Sequence, residues 1–135
     1  MPTAPDLDLA VERLDRRFRL DALWLFGSRA SGAARADSDL DLAALFHGRP
    51  SPLEVLEAQA DLEAELGVEL DLIDLDRASP ILAMQVLRHG RLVVDRDLRR
   101  RTALVARTVS MYEDLKILRR EAEQILFRRV AHGRT

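Results

Sequence analysis

The sequence predicts an α/β fold: a small mixed β-sheet covered by helices, with a long C-terminal helix. Three observations carry this. Short, largely apolar runs at residues 23–26, 40–46 and 68–75 have the length and composition of buried strands. Segments with helical start and stop residues lie around them. No Gly or Pro interrupts the chain from Arg91 to His132, so one long helix or two joined helices fit there.

The elements follow in order. Leu7, Val11, Leu14 and Phe18 recur at helical spacing, which predicts an amphipathic helix over residues 6–20. Residues 23–26 form a short apolar strand bounded by Gly27. Residues 28–37, small and containing Gly32, fit a turn and a short helix. Residues 40–46 are the second strand. Ser51-Pro52-Leu53-Glu54 is a capping box with Pro at the first helical position, and its helix runs to about Leu66 with Gly67 as the stop. Residues 68–75 are the third strand. Ser79-Pro80 opens another helix, which Gly90 closes, and residues 92–94 add an edge strand. On the final helix Leu104, Met111, Leu115, Leu118, Ala122 and Ile125 mark an apolar stripe. A helix of ~30 residues spans ~45 Å, longer than such a domain is wide, so part of this stripe is expected to dock on another chain.

Composition bounds the function. The 135 residues are expected to form one domain, with a core at about 20–95 and a helical segment at about 97–131. There is no cysteine, which excludes disulfides and thiol chemistry. His47, His89 and His132 show no metal-ligand spacing. No apolar run approaches the ~20 residues of a membrane span, and a cytoplasmic location is expected. The net charge of -2 hides an asymmetry: residues 88–135 hold 13 basic and 6 acidic side chains, and the rest of the chain is acidic. The Arg99-Arg100-Arg101 run lacks interleaved aromatics. It reads as a solvated face, and no direct nucleic-acid contact is expected.

The chemistry concentrates between residues 25 and 42. Leu25-Phe26-Gly27-Ser28-Arg29-Ala30-Ser31-Gly32 is followed by Asp37-Ser38-Asp39-Leu40-Asp41-Leu42. A Gly-Ser turn after a buried strand can hold phosphate oxygens on backbone N–H groups. Asp39 and Asp41 share one face of a strand, ~6.6 Å apart along it, and such carboxylates can bridge divalent ions ~3.5–4 Å apart. Leu40 and Leu42 then point into the core. An EF-hand fails on spacing, because Leu42 stands where that loop needs Gly and Gly48 where it needs Glu. A loop of Asx turns does not explain carboxylates inside an apolar strand, where unpaired charge costs several kcal/mol. A third carboxylate is expected from the third strand, with Asp71 the candidate and Glu69 and Asp74 its rivals.

Gly27-Ser28, Ser38-Asp39-x-Asp41-Leu42 and a later strand Asp71 resemble the nucleotidyltransferase fold of the DNA polymerase β superfamily. The run from Gly27 to Leu42 is similar to that of minimal nucleotidyltransferases, many of them antitoxins encoded with HEPN-domain ribonuclease toxins. The resemblance covers roughly residues 20–118, including the tail Tyr112-x-Asp114-Leu115-Lys116. Ser31 stands where many relatives carry a second Arg. The resemblance implies a nucleotidyltransferase in which Asp39, Asp41 and Asp71 hold two Mg²⁺ ions. Gly27, Ser28 and Arg29 would bind the ATP phosphates. It further implies AMP as the transferred group and a tyrosine of a HEPN toxin as acceptor; the length of the C-terminal helix, by contrast, is what points to a homo-oligomer or hetero-oligomer formed through it. Two other readings are a binding-only antitoxin and a transferase acting on a small molecule.

Overall fold

The computed structural model describes residues 4–27 and 40–132. In chain order they form α1 (Ala4–Phe18), β1 (Leu20–Phe26), β2 (Leu40–Phe46), α2 (Pro52–Leu66), β3 (Leu70–Asp74), α3 (Pro80–His89), β4 (Arg91–Asp95) and α4 (Leu98–His132). The strands make one sheet in the order β3-β2-β1-β4. β1 pairs antiparallel with β2 and β4, and β2 pairs parallel with β3, so the sheet is mixed as expected.

Local chemistry sets the boundaries. Ser51 Oγ accepts from the Glu54 N–H, and Glu54 Oε1 accepts from the Ser51 N–H, each at 3.1 Å. This closes the capping box of α2. Gly67 ends that helix with φ 70°, donating its N–H to the Glu63 carbonyl. Ser79 caps α3 with one bond only, its Oγ accepting from the Leu82 N–H at 3.2 Å. Gly90 differs: its φ of -76° is extended, so it feeds the chain directly into β4. Between α1 and β1, Arg19 takes φ 60° and donates its N–H to the Asp15 carbonyl. This is a left-handed helix stop made without glycine.

The sheet is covered on both faces. Leu23, Leu25, Leu40, Leu42 and Leu72 pack under α1 and α2. On the other face Ala22, Trp24, Ala43 and Leu45 pack under α3 and Leu104 of α4. Two-sided burial explains why β1 and β2 read as continuous apolar runs rather than alternating ones.

β1 starts earlier than the apolar run suggests, and it includes Asp21, which is only 7% exposed. Arg100 is the reason. Its guanidinium donates to Asp21 Oδ2 at 3.0 Å, to both Asp76 carboxylate oxygens at 2.9 and 3.0 Å, and to the Phe46 carbonyl. His47 Nδ1 lies 3.0 Å from Asp21 Oδ1. The expectation of a solvated Arg99-Arg100-Arg101 face therefore fails at its middle residue. Asp21 and Asp76 are far away in sequence, and only the fold brings them to Arg100.

α4 is one helix rather than two. Leu104 and Thr108 are buried, but beyond Thr108 its apolar side chains are mostly exposed.

Candidate active site

Two of the three expected carboxylates, Asp41 and Asp71, meet at one end of the sheet. Asp41 is the second residue of β2. Its Cα partner across the antiparallel ladder is Phe26, and across the parallel ladder it is Asp71. In-register residues on neighbouring strands lie ~4.8 Å apart and point to the same face. For Asp41 that face is the one shared with Ala43 and Leu45, under α3 and α4. Asp41 is half-buried and Asp71 is exposed. Leu40 and Leu42 turn to the opposite face and are fully buried, as the alternation requires.

Gly27 completes this end. Its φ is 76°, and a Cβ built on it would lie 2.2 Å from Asp41 Oδ2 and 3.2 Å from Asp41 Cγ. The Asp41 carboxylate occupies the space that any other residue at 27 would fill. Two independent constraints, a left-handed backbone and a carboxylate far inside van der Waals contact, select glycine here.

The rivals of Asp71 are out of register with Asp41. Asp74 closes β3 at its far end, in register with Ala44. Its Oδ1 accepts the Asp76 N–H at 3.0 Å, and Oδ2 lies 3.5 Å from Arg77 Nε. Burial raises its pKa, against the hydrogen bond from Asp76. It shapes the turn after β3. Glu69 precedes β3, and its carbonyl accepts the Leu40 N–H at 2.9 Å, locking the start of the β2–β3 ladder. Ser28, Arg29 and Asp39 lie outside the described residues. Among the described residues no three His, Asp or Glu side chains gather into a metal-binding group.

Two cations gather near this end, of which Arg88 has no counterpart in the sequence reading. The Arg88 guanidinium carbon stands 5.3 Å from the Tyr112 ring centroid, and Lys116 Nζ stands 5.8 Å from it. Arg88 belongs to the last turn of α3. A Cβ on the following Gly90 would lie 3.4 Å from the Leu25 carbonyl oxygen, just before Phe26. Tyr112 within the tail motif was the sequence signal for this cluster.

A mixed sheet under helices, with paired carboxylates beside a glycine turn, defines the nucleotidyltransferase class of α/β enzymes. The polymerase beta nucleotidyltransferase family model matches residues 6–99, and the chain belongs to that family. It is 36% identical over 77 residues to protein adenylyltransferase MntA of Thermococcus cleftensis, covering 57% of this chain and 78% of that protein. It is 30% identical over 102 residues to protein adenylyltransferase MntA of Shewanella oneidensis, covering 73% and 70%. Its fold is also similar to a toxin–antitoxin crystal structure with AMP-PNP. There the TM-score is 0.75 at 26% identity, over 89% of this chain and 98% of that one. No described helix is long and apolar enough to cross a membrane.

Proposed function

We propose that this chain is a protein adenylyltransferase antitoxin, which transfers AMP from ATP to a tyrosine hydroxyl of a cognate HEPN ribonuclease toxin. The observation that carries the reading is the registration of Asp41 with Asp71 beside Gly27. The names of the two adenylyltransferase relatives support AMP transfer. The toxin–antitoxin complex with AMP-PNP supports ATP as donor and a toxin as partner. The HEPN class of that toxin rests on the Gly27 to Leu42 motif. We read residues 1–135 as one nucleotidyltransferase domain, with its core at about 20–95 and the helical segment from about 97 to 131 appended.

Carboxylate oxygens paired on adjacent strands are the donor set that Mg²⁺ prefers. Asp39, Asp41 and Asp71 would hold two such ions. When bound, such ions would supply Lewis-acid chemistry, acidifying an attacking hydroxyl and offsetting the charge of a leaving pyrophosphate. Backbone N–H groups at Gly27 and Ser28 bind the terminal phosphates, and Arg29 offsets their charge. The tyrosine oxygen bonds to the α-phosphorus, the bond to the bridging oxygen of the β-phosphate breaks, and pyrophosphate departs. Asp71, the more exposed carboxylate, accepts the hydroxyl proton.

Intact mass spectrometry of the HEPN protein, co-expressed with and without this chain, tests the reading. The expected result is a mass increase of one or more AMP residues that requires Mg²⁺. An unmodified HEPN protein in both samples rejects catalysis.

A further inference from the structure

Asp41 and Asp71 stand in register, but their strands are held differently. Asp41 lies on β2, which has β1 on one side and β3 on the other, so ladders constrain its strand from both sides. Asp71 lies on β3, an outer strand of five residues that pairs with β2. Its side chain is exposed, so core packing does not aim the carboxylate. The backbone that carries it does.

A side chain ties the free edge of β3. Glu69 and Leu75 turn backbone groups toward β2: the Glu69 carbonyl accepts the Leu40 N–H at 2.9 Å, and the Leu75 N–H donates to the Ala44 carbonyl at 3.0 Å. Backbone groups of successive residues alternate between the two sides of a strand. Asp71 therefore turns its carbonyl toward β2, and Leu72 turns its N–H outward. There Gln59 of α2 meets it, and the Leu72 N–H donates to Gln59 Oε1 at 3.0 Å. The Gln59 amide is itself held, because its Nε2 donates to Glu63 Oε1, one turn on, at 3.2 Å. The Asp71 carbonyl and the Leu72 N–H belong to one planar peptide and point in opposite directions. β2 holds that plane by one edge and Gln59 by the other. The anchor is firm, since Ala58 and Leu62 of α2 are buried in the same core as Leu72.

We propose that Gln59 is a positioning residue for Asp71: it clamps the Asp71–Leu72 peptide at the free edge of the sheet and so sets that carboxylate level with Asp41. This rests on the adenylyl-transfer reading, in which Asp71 holds metal and accepts the hydroxyl proton. A shift of ~1 Å at a reacting group can cost about 100-fold in rate, and without Gln59 only the β2 side resists rotation of the peptide.

Gln59→Leu removes the acceptor and keeps bulk and helix preference. Gln59→Glu combined with Glu63→Gln keeps an oxygen for Leu72 and reverses the bond between the two side chains, so it serves as the rescue. Three quantities are read. These are deuterium exchange of the Leu72 amide by NMR, Mn²⁺ binding with a non-hydrolysable ATP analogue by electron paramagnetic resonance, and single-turnover AMP transfer to the HEPN protein. Gln59→Leu is expected to speed Leu72 exchange about 10-fold or more and to weaken Mn²⁺ binding about 10-fold. Transfer at saturating ATP is expected to slow about 10-fold, with near-native circular dichroism. The exchanged pair is expected to return all three to within about threefold of wild type. In an Asp71→Asn background, Gln59→Leu is expected to slow transfer by less than about twofold, because the group it aims is gone. An equal loss in both backgrounds, unchanged transfer and Mn²⁺ binding in Gln59→Leu, or no rescue by the exchanged pair would overturn the positioning role. If Gln59→Leu does not fold, Gln59→Asn, which withdraws the same amide by one methylene, replaces it with the same expectations. Wild type that transfers no AMP rejects the chemistry assigned to the site, and Leu72 exchange with Mn²⁺ binding then decides the clamp.

Discussion

The Asp41 carboxylate lies where a side chain on residue 27 would begin: a Cβ on Gly27 would fall 2.2 Å from Asp41 Oδ2. The turn after β1 and the acidic position of β2 are therefore one unit. Neither residue can be altered without consequence for the other.

Gly27→Ala should accordingly damage the site more than the fold. The new Cβ displaces the Asp41 carboxylate, and the left-handed backbone adds strain of about 1 kcal/mol. AMP transfer is expected to fall about 100-fold or more, with a drop of several degrees in melting temperature. Gly27→Val should weaken ATP–Mg²⁺ binding in calorimetry, and more than Ser28→Ala does. Unchanged nucleotide affinity in Gly27→Val would remove the phosphate-cradle role.

Asp41→Asn and Asp71→Asn test the carboxylate pair. Each amide keeps shape and loses charge. Transfer in Mg²⁺ is expected to fall about 100-fold or more for each, with near-native circular dichroism. Two like charges in register on adjacent strands repel. The melting temperature without metal is therefore expected to hold or rise in either variant. The readouts are single-turnover AMP transfer and thermal scans with and without Mg²⁺. Wild-type rates in the double variant would place the reaction elsewhere.

Arg100→Met should be the most destabilising of these substitutions, although Arg100 lies at the opposite end of the sheet. It takes the main cationic partner from Asp21 and Asp76, whose side chains are 9% and 16% exposed, leaving His47 at the first and Arg107, 3.7 Å away, at the second. Removing one partner of a buried ion pair costs up to about 3 kcal/mol. Arg100→Lys should recover only part of this, because an ammonium cannot reproduce the two-oxygen fork on Asp76. Urea unfolding gives both values. Adding Asp76→Asn to Arg100→Met should restore stability relative to the single variant, since it removes one stranded charge.

Acid should destabilise the protein through the same knot. Burial pushes the Asp76 carboxyl up, but the Arg100 hydrogen bond and the charges of Arg100, Arg107 and Arg49 hold it below the usual range overall. Asp15 is also held low, first by the Leu20 N–H and then by Arg96. A depressed carboxyl contributes stability above its unfolded pKa of about 3.9. That contribution is lost as pH falls through the lower folded value. Asp74, raised by burial, acts in the opposite sense and relaxes as it protonates. Denaturant midpoints should therefore fall below about pH 4, and Asp76→Asn should flatten that slope. A wild-type slope in Asp76→Asn would exclude the knot as its source.

The sequence by itself determined the elements whose signals are local. The capping box at Ser51 and the stop at Gly67 bound α2 at the expected residues, and the apolar run at 40–46 is β2. Both rest on contacts within a few residues, which composition and spacing encode directly. The motif from Gly27 to Leu42 likewise carried the family. The tertiary structure decided what depends on distant partners. It set Asp71, and not Asp74 or Glu69, level with Asp41, because ladder register is a pairing of two strands and cannot be read from either alone. It turned Arg100 inward, because the two carboxylates that hold it come from β1 and from the turn after β3. It also fixed how far α4 outruns the sheet. An apolar stripe has the same spacing whether its own core or another chain covers it, so only the position of the domain edge separates buried Leu104 from exposed Leu118.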